Sequence, residues 1–114
     1  MTTTIEQATQ ALRAAVAAGE AAALAVWDRD EHQDRGSCGG AMLEFDGRTI
    51  VAKAAEQLGI VYRSGKEYWL RLDMPAGIRS QNLDIPEAQF RAFRVSLEAA
   101  GLGSAIKRAW SYVD

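Results

Sequence analysis

The chain's one cysteine sits in Ser37-Cys38-Gly39-Gly40, and its one histidine, His32, lies six residues earlier. Flanking glycines leave backbone N–H groups open to a thiolate or an anion. A thiol enzyme needs a base beside its nucleophile and a third group to orient that base, and Asp30 or Asp34 could be drawn in beside His32 for that purpose. The spacing identifies no reaction, and a loop cysteine beside glycines more often reflects a tight turn in which a small side chain fits. The carboxylates Asp28, Asp30, Glu31 and Asp34 invite a calcium reading. That reading fails, because Gln33 occupies the place of the turn glycine and Gly39 that of the closing glutamate. The sequence carries no nucleophile elbow, no phosphate-binding loop and no His/carboxylate set at helical spacing. No metal or cofactor is therefore expected, and the reading favours a protein without catalysis.

A second constellation depends on strand alternation. If Tyr68, Leu70 and Leu72 face a helical layer, Trp69 and Arg71 point the other way, together with Glu44 from an earlier strand. An exposed Trp beside an Arg stacks single-stranded bases or anchors a protein partner. The ribonucleoprotein signature is only grazed by Gly65-Lys66-Glu67-Tyr68-Trp69, and a Trp at this position also packs readily under a helix or a dimer mate.

The elements that position these groups follow from periodicity. Thr4-Ile5-Glu6-Gln7 fits a capping box and opens a helix over 5–18 whose apolar stripe is Ile5, Ala8, Leu12, Ala15 and Val16, with Gly19 as its expected end. Residues 20–27 lean towards helix, and 28–40 read as a charged, glycine-rich surface loop. A strand over 41–46, a helix over 50–58 ending at Gly59, and a hairpin of 60–63 with 68–72 follow. Asp84 is the expected cap of a last helix, with Pro86 in its first turn. Its stripe is Phe90, Phe93, Leu97 and Ala100, widened by Ile85, Ala88, Ala92, Val95 and Ala99. Gly101 and Gly103 end it, and a closing strand over 105–113 puts Ile106, Trp110 and Tyr112 on one side. After the first helix the order is βαββαβ, the ferredoxin-like order, giving one α+β domain over 1–114 with both helices on one sheet face. The first helix covers a sheet edge or joins the helical layer.

Composition sets the frame. The chain has 114 residues, 48% hydrophobic and 25% charged, enough for one self-sufficient core and too few for two domains. One cysteine excludes an intrachain disulfide and points to a reducing cytoplasm. The Ala-rich stretch 8–27 is broken by Gln10, Arg13 and Glu20, so neither a membrane span nor a signal peptide is expected. Residues 1–47 hold three basic and eight acidic side chains, and residues 48–114 hold ten and seven. The two halves can attract each other, and an isoelectric point of about 5.4 argues against a dominant nucleic-acid patch.

Ser37-Cys38-Gly39-Gly40-Ala41 running into a strand, the stretch Ser80 to Gly101 with its Glu-Ala-rich helix ending in Ala-Ala-Gly, and the terminal Asp114 resemble a group of small phage and prophage proteins. The match covers about a quarter of the chain and names no reaction. The resemblance implies accessory work for a phage or mobile element, of the kind done by anti-CRISPR inhibitors that occupy a surface on a larger machine. The leading expectation is a non-catalytic protein that binds a host protein through the acidic residues Asp28, Asp30, Glu31 and Asp34 or through the sheet face of Trp69 and Arg71. A single-stranded nucleic-acid module on that same face and a thiol enzyme at Cys38 are the alternatives. An open aromatic face and a wide apolar arc on the last helix also make a homodimer an expectation.

Overall fold

A computed structural model describes residues 2–33, 36–80 and 82–114. Helix α1 (Ile5–Arg29) starts on the expected capping box: Thr4 Oγ1 accepts the Gln7 N–H at 3.1 Å, and Gln7 Oε1 accepts the Thr4 N–H at 2.9 Å. It does not end at Gly19. The helix runs through 25 residues, and Gly19 lies buried in its middle. A Cβ there would come within 2.8 Å of the Gln89 carbonyl oxygen, so the glycine permits a close crossing of two helices rather than a turn. The alanine-rich continuation carries the helix on, and Ala23 and Trp27 bury against Ile78 and Ile85 as a second small core. Of the segment read as loop, Asp28 and Arg29 thus belong to the last turn of the helix, and the turn begins at Asp30.

The remaining elements are β1 (Gly39–Phe45), α2 (Ile50–Gln57), β2 (Val61–Ser64), β3 (Glu67–Leu70), α3 (Asp84–Ala99), a 3-10 turn at Gly103–Ala105 and β4 (Ile106–Val113). Gly59 and Gly101, at φ 75° and 80°, close α2 and α3 through bonds from Ile60 N–H to Ala55 O and from Leu102 N–H to Leu97 O. Asp84 is not the cap of α3. It occupies the first turn, and its N–H is taken at 3.0 Å by the side-chain oxygen of Asn82.

The four strands form one sheet in the order β2-β3-β1-β4, every neighbouring pair antiparallel. Leu43, Phe45 and Leu70 point from the sheet into the main core, where Ala8, Leu12 and Ala15 of α1, Val51 and Ala55 of α2, and Phe93 and Leu97 of α3 meet them. The molecule is α+β, with α1 joining the helical layer through extensive packing on α3. Val95 and Ala99 do not widen the buried stripe of α3; both are exposed.

One irregularity resets the last strand. Phe45 pairs with Ile106, and Glu44 with Arg108, so Lys107 is an extra residue in a β-bulge. Ile106 consequently packs towards the core, as does Ala109, and parts company with Trp110 and Tyr112. The simple alternation that grouped Ile106 with Trp110 and Tyr112 assumed an unbroken pleat.

Candidate functional site

The sheet face opposite the helices is built from cross-strand neighbours: Tyr62 and Trp69, Trp69 and Glu44, Glu44 and Arg108, Met42 and Trp110, Gly40 and Tyr112. Gly40 has a role in this face, since a Cβ on it would lie 2.6 Å from the Tyr112 hydroxyl oxygen. Trp69 and Trp110 meet edge to face, ring centroids 5.6 Å apart at 85°. The Arg108 guanidinium carbon lies 5.1 Å from one ring centroid and 5.3 Å from the other. Beneath them Glu44 is only 2% exposed. Its Oε1 accepts from Arg108 Nε at 2.6 Å, and Lys107 Nζ stands 3.8 Å from its Oε2. The bulge makes this possible by presenting two successive cations to one carboxylate. Glu67 completes the set, accepting from Arg108 Nη2 and from Trp69 Nε1, each at 3.4 Å. Trp110, Tyr112 and Tyr62 remain 42%, 44% and 59% exposed.

Trp69 therefore lies on the expected face, half-buried against Trp110. Arg71 does not accompany it. The strand ends at Leu70, and Arg71 lines a different cleft with Val16 and Glu20 of α1. The cation beside Trp69 is Arg108, which sequence reading missed because its position depends on the bulge.

Of the acidic candidates among the described residues, only Asp30 is drawn inward; Asp28 stays exposed. Asp30 is buried, accepting from Arg29 Nε at 3.0 Å and from Asn82 Nδ2 at 3.3 Å. Arg29 reaches on to Asp84 at 3.2 Å, and the Asp30 and Asp84 carboxylates hold its guanidinium pKa above the ordinary value. Asp28 Oδ1 lies 2.7 Å from His32 Nε2, and the His32 ring stacks on Trp27 at 5.4 Å. Glu31 and His32 both adopt left-handed backbone, φ 57° and 60°, which reverses the chain after α1. Glu31 stays exposed, and Asp34 lies outside the described residues.

Cys38 is exposed and opens the sheet through a backbone bridge to Asn82, while its carbonyl accepts the Asp114 N–H at 3.0 Å. The Leu83 N–H is bound by Ser37 O at 2.8 Å. The Ser-Cys-Gly-Gly segment is thus a joint tying the start of β1 to the entry of α3 and to the chain's last residue. His32 belongs instead to the Trp27 and Asp28 cluster at the end of α1. Among the described residues no three His, Cys, Asp or Glu side chains come together as metal ligands, and no helix is long and apolar enough to cross a membrane.

A second concavity, of about 470 Å³, opens at the end of the sheet. Arg48 from the β1–α2 turn, Arg63 from β2, Lys66 from the β2–β3 turn and Lys107 from the bulge line it, together with Glu44, Asp46 and the Tyr68 ring. Arg48 grips Asp46 with Nε at 3.1 Å and Nη2 at 2.9 Å, and adds its backbone N–H at 3.0 Å. The Arg48 side-chain bonds, followed by its backbone N–H, lower the Asp46 carboxyl to a pKa of about 2. Gly47 is required between them, because a Cβ there would come 2.4 Å from the Tyr68 ring.

No protein-family model, no curated protein and no solved structure matches this chain.

Proposed function

We propose that this chain is a non-catalytic binding protein, of the phage-accessory kind its sequence resembles, which docks on a host protein through the open sheet face. The observation that carries the reading is the pair of half-buried Trp69 and exposed Trp110, bridged by Arg108, on the sheet face opposite the helices. Trp, Tyr and Arg are the residue types that dominate interface hot spots, and here a strand framework fixes them before any partner arrives. The order βαββαβ with strands β2-β3-β1-β4 supports the ferredoxin-like reading of the core and gives that face its four-stranded base.

Charge favours a protein over a nucleic acid on this face. Nucleic-acid affinity draws on cations that replace counterions along the phosphates. At the centre of the face Arg108 already meets two carboxylates, Glu44 and Glu67. Of the two surfaces named from the sequence, the acidic one is the weaker, because Asp30 is buried in its own hydrogen bonds.

The test is quantitative capture from host lysate with the full chain, Trp110→Ala and Glu31→Ala. A stoichiometric partner held by the wild type and by Glu31→Ala, and lost from Trp110→Ala, supports the proposal. Capture that depends on Glu31 and survives Trp110→Ala moves the contact to the acidic end. Salt-dependent quenching of the tryptophans by single-stranded RNA or DNA, absent in Trp110→Ala, replaces the protein partner with a nucleic acid.

A further inference from the structure

We propose that the cleft between Arg48, Arg63, Lys66 and Lys107 is a binding site for a phosphate-bearing anion, beside the aromatic contact face and sharing Glu44 and Lys107 with it. Four cations from four different segments of the chain converge on it, and only two carboxylates, Glu44 and Asp46, share its lining. Four of the ten basic side chains of residues 48–114 thereby line one cleft, in a protein whose net charge is -2.

The internal ion pairs orient the arginines without exhausting them. A guanidinium has five N–H donors in a planar fork. Asp46 takes those of Arg48 on Nε and Nη2, and among the described residues no bond uses Arg48 Nη1. Arg63 is held at Glu56 by Nη1 (2.9 Å) and at the Gly65 carbonyl by Nη2 (3.2 Å), with its guanidinium carbon 3.9 Å from the Tyr68 ring centroid. Its Nε takes no partner among the described residues. Forks oriented by these bonds, with donors to spare, suit the planar, multi-point recognition of phosphate oxygens, and prior orientation lowers the entropy cost of ordering them on binding.

The lysines provide the mobile charge. Lys66 has no ionic partner among the described residues, and Lys107 reaches Glu44 only at 3.8 Å, while Arg108 holds that same carboxylate at 2.6 Å. Two flexible ammonium groups can close over an anion that the two arginines orient. A concavity of about 470 Å³ accommodates a ligand of diphosphate to nucleotide size.

The phosphate could belong to a free small molecule or to the end of a nucleic-acid strand, and three probes separate these: sodium pyrophosphate, adenosine diphosphate, and a thymidine hexanucleotide with or without a 5′-phosphate. Isothermal titration is run on the full chain in low-salt, phosphate-free buffer. The expected result is saturable one-to-one binding of pyrophosphate, weakened about tenfold or more in Lys66→Ala/Lys107→Ala and unchanged in Trp110→Ala. Tighter binding of adenosine diphosphate assigns the site to free ligands, and a preference for the 5′-phosphorylated hexanucleotide assigns it to strand ends; either supports the site. Absence of saturable binding by all probes overturns it, and so does equal binding by wild type and the double-lysine variant. Both lysines are exposed, so the variant should fold, and an unchanged thermal midpoint verifies that. A positive titration with no partner captured through Trp110, or the reverse, tells the failure of one proposal from the failure of the other.

Discussion

The end of α1 and the open face of the sheet began with equal standing as contact surfaces, one for its carboxylates and one for its aromatics. Folding separates them by how fully each satisfies itself. At the end of α1, Asp30 is bound by Arg29 and Asn82, and Arg29 reaches Asp84, which ties this end to the entry of α3, while Asp28 pairs with His32 within the same turn. On the sheet, Glu44 and Glu67 take up the charge of Arg108, yet the rings above them stay partly in solvent. Apolar surface has no internal partner that removes its hydration cost short of burial, whereas a carboxylate can be satisfied by a single well-placed donor. A cluster of charge in the sequence therefore does not by itself mark an open surface: Asp30 is buried, whereas the aromatic face stays partly exposed.

The contrast can be broken first at Asp30. Asp30→Ala leaves the buried Asn82 amide without its acceptor and should cost about 2 to 3 kcal/mol in urea unfolding, with partner capture per folded molecule unchanged. A loss below about 0.5 kcal/mol would return the acidic end to the list of functional surfaces. Next along the same seam, Gly19→Ala drives a methyl group into the Gln89 carbonyl. The backbone must give way, and the overpacking outweighs the better helix propensity of alanine for a net loss of about 1 to 2 kcal/mol. A stabilised variant would show that α1 and α3 separate at no cost.

On the sheet the expected stability effects are smaller. Trp110→Ala removes a ring that is 42% exposed and should cost about 1 kcal/mol or less, while abolishing capture. A loss of several kcal/mol would mean the indole is core. The smallest effect is the sharpest in pH. Arg48→Ala should raise the Asp46 pKa from about 2 towards the ordinary aspartate value, read by carboxyl NMR titration. Because the folded-state pKa is the lower one, the pair's contribution is complete above the unfolded-state value of about 3.9 and fades as pH falls towards about 2. Wild-type and Arg48→Ala stabilities should converge across that acid window. Curves that stay parallel through it would show that Arg48 does not hold Asp46 in solution.

Element types were legible wherever a pattern was local. The capping box at Thr4, the glycine stops at Gly59 and Gly101, the 61–70 hairpin and the outward side of Trp69 all depend on neighbours within a few residues. Gly19 misled, because helix-ending glycine and helix-crossing glycine look alike until the opposing Gln89 backbone is placed. Arg71 misled because the strand stops one residue before it.

The amino-acid order alone thus determined the order and type of the elements, the α+β class and the presence of an aromatic side chain facing away from the core, though not where α1 and β3 end. Tertiary structure alone decided which cation joins Trp69, which carboxylates stay outside, and that four basic residues from separate segments line one cleft. Local periodicity is set by backbone geometry, which repeats every two or 3.6 residues. Convergence of distant side chains depends on register, and a single extra residue at Lys107 changes register for everything beyond it.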